Sequence, residues 1–346
     1  MTNPPVKERL LGKSLDQLND FVKKRGWPLF TARQIANWLY KHRVQTIDEM
    51  TNLSKAVRAE LMQIAEPGFT LPSEVKESVD GTKKYLFRAG EGQFIETVYI
   101  PEGDRHTLCV STQIGCRMGC RFCMTARQGL KGQLTAGEIL NQISSIPEHH
   151  LLTNIVYMGM GEPLDNLQEV LDSLDIITAD YGFAMSPRRI TISTIGILPA
   201  METFLEKSNC HLALSLHSPF DEERKRLVPA QHNTPLESIL EVLRRSPLDK
   251  QRRVSFEYIV FKDLNHSMQH VKALARRLQG IRCRINLIRF HPIPGSHLEA
   301  PDDQQLTAFK EALESKGLTT TIRRSRGQDI DAACGLLSTS KQNRKA

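Results

Sequence analysis

Gly115-Cys116-Arg117-Met118-Gly119-Cys120-Arg121-Phe122-Cys123 follows an apolar run and places three cysteines in eight residues, spaced C-x3-C-x2-C. Three thiols so close in sequence must converge on something. A structural zinc ion needs four ligands, so a fourth Cys or His would have to come from a distant position such as Cys109 or Cys334. An iron–sulfur cluster held by three thiolates instead keeps one iron open to a further ligand. Seven cysteines, four of them between Cys109 and Cys123, are an odd and uneven set for a disulfide framework, so metal binding or thiol chemistry is the better use.

The C-x3-C-x-Phe-C pattern resembles the cluster motif of the radical S-adenosylmethionine (SAM) enzymes. Further segments narrow the resemblance: Glu96-Thr-Val-Tyr-Ile-Pro, Thr107-Leu-Cys-Val-Ser, Met158-Gly-Met-Gly-Glu-Pro, Ser186-Pro-Arg-Arg, Ser215-Leu-His, Asn286-Leu-Ile-Arg and Asp329-Ile-Asp-Ala-Ala-Cys-Gly. Together, from about Ser14 to Leu337, they are similar to the bacterial adenine-C2 methyltransferases of 23S rRNA and tRNA. The resemblance implies a 4Fe-4S cluster on Cys116, Cys120 and Cys123, with S-adenosyl-L-methionine chelated to the open iron.

The pattern of elements leads toward the same architecture. Capping signals at Ser14/Gln17 and Thr31/Gln34, a third start at Ser54 and the anchors Trp27 and Trp38 predict a small helical domain over 1–70. A hairpin around Asp80-Gly81 and a strand near 93–100 predict a short bridging β-sheet over 71–101. From 102 to 337 strand and helix alternate. Strands are expected at about 107–112, 154–159, 189–194, 211–216, 254–260 and 284–290, and helices at about 135–146, 166–179, 198–206, 235–245, 267–279 and 302–316. Repeated βα units without a dinucleotide glycine fingerprint predict an α/β fold with a partial (β/α)6 barrel, which the resemblance also implies. Residues 338–346 read as a flexible polar tail.

Chemistry in such barrels collects where the strands end, and the unusual segments all fall there. Gly161 and Glu162, in Gly-Met-Gly-Glu-Pro, read alone as a tight turn; the resemblance assigns them to the amino group of SAM. Ser193, Ser215, Leu216 and His217 are implied SAM contacts in the same way. His291 stands where the family most often has Asn, and an imidazole offers less than both faces of an amide. Cys109 lies in a strand pattern and reads as core; Cys334 reads as a small buried thiol. Glu96 alternates with apolar neighbours, which predicts a solvent-facing side chain.

The resemblance gives these three other roles. One SAM methylates Cys334, and a second, cleaved reductively at the cluster, yields a radical that activates the Cys334 methyl group for addition to adenine C2. Glu96 transfers a proton, and Cys109 resolves the protein–RNA thioether, leaving a Cys109–Cys334 disulfide. Such a cycle needs an electron donor and a thiol reductant. The alternatives are adenine C8 methylation by a sister branch, or a non-catalytic iron–sulfur or zinc RNA-binding protein.

A net charge of +7 with basic clusters such as Arg323-Arg324-x-Arg326 fits a polyanionic partner, and these three arginines are expected to meet phosphates near the target base. The start of the chain lacks an apolar leader and no apolar run approaches a membrane span. The expectation is a cytoplasmic monomer with no membrane partner.

Overall fold

The computed structural model describes residues 7–90, 92–246 and 253–338. Ten strands form one sheet: β1 (Glu74–Glu77), β2 (Lys83–Arg88), β3 (Phe94–Glu102), β4 (Arg105–Cys109), β5 (Asn154–Tyr157), β6 (Ile190–Thr194), β7 (His211–Ser215), β8 (Val254–Val260), β9 (Cys283–Arg289) and β10 (Thr320–Arg323). They lie side by side in chain order. β1 to β4 pair antiparallel, whereas every pairing from β4 to β10 is parallel. The hairpin segment is thus the continuation of the barrel sheet and shares its hydrogen-bond ladder.

Parallel neighbours need a crossover, and helices supply it: Ala136–Ser144, Leu167–Thr178, Leu198–Lys207, Leu236–Arg245, Met268–Arg277 and Asp303–Glu314. These lie within two residues of the expected spans, because strong apolar periodicity left little room for another reading. Six crossovers make the partial (β/α)6 barrel, and β10 adds a seventh parallel strand that the alternation did not reveal. β10 is short and carries Thr-Thr-Ile-Arg, too brief an apolar pattern to signal a strand. Leu212, Leu214, Phe256, Tyr258, Ile285 and Leu287 are completely buried and form the centre of a continuous core.

The N-terminal helices are Leu15–Lys23, Phe30–Asn37 and Lys55–Ile64. Ser14 and Gln17 form the expected capping box. The box at Thr31 does not form: this helix begins at Phe30 after Leu29, and Thr31 is buried within its first turn. Trp27 is core, edge-on to Phe21 at 6.1 Å, with its indole N–H on Glu60; Trp38 is half-buried and donates to Asn52. Both are held in packing.

This helical unit is pressed onto the barrel at two glycines. A Cβ on Gly12 would stand 2.4 Å from the amide nitrogen of Gly137, and one on Gly137 would stand 2.3 Å from the Leu11 carbonyl oxygen. Tyr40 packs its ring at a tilt against Tyr181 and edge-on against Phe183, and the Asn141 side chain exchanges hydrogen bonds with Thr70. None of the helices among the described residues is long and apolar enough to cross a membrane. Of the expected tail only Ser338 falls within the described residues.

Gly137→Ala separates two effects. In an exposed helix the change gains about 1 kcal/mol of helix propensity, whereas here the methyl meets backbone, and overpacking of this kind costs about 1–3 kcal/mol or more. The expected outcome is a lower thermal unfolding midpoint, read by differential scanning calorimetry. A raised midpoint would show that the two units are not wedged together at this point.

Candidate active site

The cluster loop leaves the sheet through a strand of its own. Gln113–Cys116 pairs antiparallel with Gly129–Gln133, so the expected run 107–112 ends early and a separate hairpin presents Cys116. Gly115 has φ +74°, and a Cβ there would overlap the Gly129 carbonyl oxygen, so this approach requires glycine. Cys120 and Cys123 sit in the following turn, where the Cys123 amide donates to the Cys120 carbonyl at 3.2 Å. Outside contacts then fix the loop. Arg121 donates its amide to Leu227 at 3.0 Å, Met124 to Gly335 at 2.8 Å, and Thr125 its hydroxyl to Leu337 at 2.7 Å. Arg117 grips Asp165 through Nε and Nη2.

The three thiols line one cavity together with Gly161, Glu162, Ser193, Ser215, His217 and Cys334. Among the described residues no group of three His, Cys, Asp or Glu is arranged to hold a single metal ion. Three thiols on one cavity wall suit a cluster held by three thiolates with one iron left open to a further ligand. Burial raises all three thiols, Cys116 to about 12, so without a metal they stay protonated; binding iron would displace those protons. Arg224 adds a second sign of fit. It is fully buried, Nη1 donates to Gln231 at 3.1 Å and Nη2 to the Ile195 and Ser215 carbonyls, while Nε has no hydrogen-bond partner among the described residues. Its charge acts on Cys120.

Opposite the thiols, Gly159-Met-Gly-Glu-Pro turns at the end of β5. A Cβ on Gly161, where φ is +101°, would meet Gln113 at 2.6 Å, so the glycine lets two protein segments touch as well as baring backbone to the cavity. Glu162 accepts amides from Leu164 at 3.1 Å and Ile195 at 3.0 Å, and its own amide donates to Gln113 at 2.8 Å. Burial raises it to about 7 against those hydrogen bonds. A buried carboxylate at that poise is suited to an ammonium partner. Ser193 and Ser215 present hydroxyls from the ends of β6 and β7. His217 is left-handed (φ +59°), accepts the Ile259 amide on Nδ1 at 3.1 Å and lies edge-on to Phe122 at 4.6 Å. Burial lowers it to about 3, which keeps the ring neutral.

Two expected SAM contacts fall elsewhere. The Leu216 side chain is fully buried and does not line this cavity. His291 lines a second, larger cavity of about 510 Å³, the barrel lumen, with Nε2 on Ser325 at 2.9 Å.

Cys334 is exposed, contrary to the reading of a buried thiol, and lines both cavities. Cys109, buried as expected on β4, is pushed up to about 12 by burial and then by the nearby Cys334, and drawn down by Arg323. Glu96 is not solvent-facing. It is 1% exposed, paired with Lys84 at 3.2 Å, and accepts the Ser338 amide at 2.8 Å. Burial raises its carboxyl, against Lys84. It lines neither cavity but lies under the segment that carries Cys334.

The arginine trio divides. Arg323 turns inward beside Cys334 and Cys109, with Nη1 3.4 Å from the Met158 sulfur and 3.9 Å from Glu257 Oε2. Arg326 faces Asp80 and Glu102 at 3.9 and 3.7 Å. Only Arg324 is exposed and, among the described residues, unpaired, so the expectation of three phosphate contacts reduces to one. Glu257 and the inward Arg323 were missed from sequence. The signal for Glu257 was present: Ser255 and Glu257 put polar groups on one face of an otherwise apolar strand.

Residues 110–276 match the radical SAM superfamily, and residues 9–66 match the ribosomal RNA large subunit methyltransferase N-terminal domain. The chain is 54% identical over 333 residues to the probable dual-specificity RNA methyltransferase RlmN of Bacteroides thetaiotaomicron, which covers 96% of each. It is 44% identical over 331 residues to the dual-specificity RNA methyltransferase RlmN of Syntrophus aciditrophicus, 94% of each. The crystal structure of a radical SAM methyltransferase from Sphaerobacter thermophilus superposes with a TM-score of 0.88 at 38% identity, covering 95% of this chain and 99% of that one.

Cys120→Ala, reconstituted anaerobically with iron and sulfide, is expected to lose the visible absorbance of a cubane and to bind far less iron than the unaltered chain. An unchanged iron content and spectrum would remove Cys120 from the ligand set.

Proposed function

Since this chain belongs to the dual-specificity RNA methyltransferases of the radical SAM superfamily, which work with a 4Fe-4S cluster and SAM, we propose that it methylates C2 of adenine in 23S rRNA and in tRNA. The observation that carries this reading is the position of Cys334, which faces the thiol-lined cavity on one side and the barrel lumen on the other. A sulfur there can accept carbon from one chamber and deliver it to a base in the other.

Adenine C2 is a poor nucleophile with a non-acidic hydrogen, so direct displacement on SAM faces a prohibitive barrier. When bound, the cluster and SAM would supply the methyl group, the hydrogen-abstracting radical that such a carbon needs and, once carbon has joined C2, an acceptor for the single electron the adduct must lose along with its C2 proton. Cys116, Cys120 and Cys123 hold the cluster, and Gly161, Glu162, Ser193, Ser215 and His217 surround SAM, with Leu216 contributing only backbone. Cys334 carries the methyl carbon and, once that carbon has joined C2, ties protein to RNA as a thioether. Glu96, whose carboxyl burial raises, is our candidate for the eventual acceptor of the C2 proton; it lines neither cavity and is held by Lys84 and the Ser338 amide, so the proton reaches it only when the segment carrying Cys334 shifts. Cys109, as thiolate, then attacks the Cys334 sulfur. The sulfur–carbon bond breaks with its electron pair returning to carbon, which takes up a proton, and a Cys109–Cys334 disulfide remains. Arg323 draws the Cys109 thiol toward its thiolate, against the larger effect of burial.

An electron donor for the cluster and a thiol reductant for the disulfide complete the cycle, and we place it in a cytoplasmic monomer. Anaerobic incubation with SAM, reductant and 23S rRNA or tRNA, followed by nucleoside mass spectrometry, should yield 2-methyladenosine. Appearance of 8-methyladenosine alone would move the chain to C8 chemistry, and absence of any methylated base would defeat the proposal.

Cys109→Ala should accumulate a covalent protein–RNA species that survives denaturant, boiling and reducing agent, seen as a shifted band on a denaturing gel and lost when Cys334 is also replaced. If Cys109 only fills core, the same change costs on the order of 1 kcal/mol of stability and traps nothing.

A further inference from the structure

Five residues line both cavities and form the waist between them: Met158, Glu257, Ile288, Arg323 and Cys334. If carbon leaves from Cys334, adenine C2 must come to this waist. That condition rests on the function proposed above. A base so placed has N1 next to C2 and the 6-amino group next beyond, a hydrogen-bond acceptor beside a donor.

The waist offers the matching pair. Glu257 is 4% exposed, and its Oε1 is fixed by Ser255 at 2.9 Å and Asn286 at 2.7 Å, while Oε2 has no hydrogen-bond partner among the described residues. Arg323 Nη1 lies 3.9 Å from that oxygen, beyond hydrogen-bonding distance, and its one hydrogen bond among the described residues is to the Met158 thioether. A buried acceptor left unsatisfied is costly, and is expected where a ligand completes it. Met158 and Ile288 supply apolar surface for the ring faces. We infer that Glu257 and Arg323 read the Watson–Crick edge of the target adenine, Glu257 Oε2 accepting from the 6-amino group and Arg323 donating to N1. Enzymes that act on an extruded base commonly recognise it along this edge.

Hypoxanthine tests the idea because it keeps the C2 hydrogen and reverses the edge, with an acceptor at position 6 and a donor at N1. Two 23S rRNA fragments differing only in adenosine or inosine at the target are compared by kcat/KM. A site built on a specific hydrogen bond rejects the wrong partner strongly, so the unaltered enzyme should prefer adenosine by ~100-fold or more. Glu257→Gln presents an amide that can donate to the 6-oxo group, and should cut the preference to ~10-fold or less, mainly by loss on adenosine. General damage to folding or cluster cancels in this ratio. A Glu257→Gln preference within twofold of the unaltered enzyme's overturns the inference. If the variant turns over neither RNA, the ratio of their dissociation constants is read instead, and an unchanged ratio again overturns it. An unaltered enzyme that methylates both RNAs equally defeats the inference but leaves the proposed function standing, whereas one that methylates neither defeats the function itself.

Discussion

The site depends on a buried ion pair. Lys84 and Glu96, side chains 5% and 2% exposed, meet at 3.2 Å beneath the segment that carries Cys334. Each also bonds that segment: Lys84 donates to the Asp331 carbonyl at 3.1 Å, and Glu96 accepts the Ser338 amide at 2.8 Å. Removing one partner of such a pair leaves an uncompensated charge and costs about 3–5 kcal/mol, more than a surface bridge can supply. Asp329 on Ser78 and Asp80 on the Gly327 amide secure the start of the same segment. Its far end holds the cluster loop through Gly335 and Leu337. Cys334 and the three thiols of the loop are thereby positioned relative to each other by one short strap, which the antiparallel strands support from below.

Parallel register sets the other side of the site. β8 pairs with β7 and β9 so that Ser215, Glu257 and Asn286 fall opposite one another across three strands. Side chains on a parallel ladder alternate in direction together, so one register places a polar layer at a single height inside an otherwise apolar barrel. Slipping β8 by one residue would send Glu257 into the helix layer and bring Phe256 into the lumen. Buried Phe256 and Tyr258 make that slip expensive, and so the core of the barrel guards the orientation of the carboxylate.

Much of this was legible in the chain, for identifiable reasons. Helices such as Leu236–Arg245 declare themselves because their apolar residues recur at a single period, and β8 because its run is apolar apart from Ser255 and Glu257. The strand-end segments Gly-Met-Gly-Glu and Ser-Leu-His could be placed on one rim as soon as the βα alternation was seen. Features that depend on distant partners could not. Glu96 alternates like a surface residue and is buried only because Lys84 and Ser338 come to meet it. Thr31 has the local signature of a cap, but the helix starts at Phe30, one residue ahead of it. Arg323 looks like one of three phosphate ligands in a basic run. Strand alternation in β10 and the acidic partners of Arg326 divide the run.

The buried charges also form a balance that becomes clear only when the thiols are taken as ligands. Arg224 lies inside the fold with its pKa lowered to about 10 by burial, against the opposing charges of Asp221 and Cys120. Cys120 lies within reach of its charge and Glu162 lies across the same cavity. While the thiols are protonated, the guanidinium is an expensive cation with an unused Nε donor. Once they are deprotonated as metal ligands, the same group faces negative charge at short range in a medium where such attraction is strong. If the thiols ligate as proposed, Arg224 is a buried cation already in place beside them, and their deprotonation would offset part of the cost of burying it.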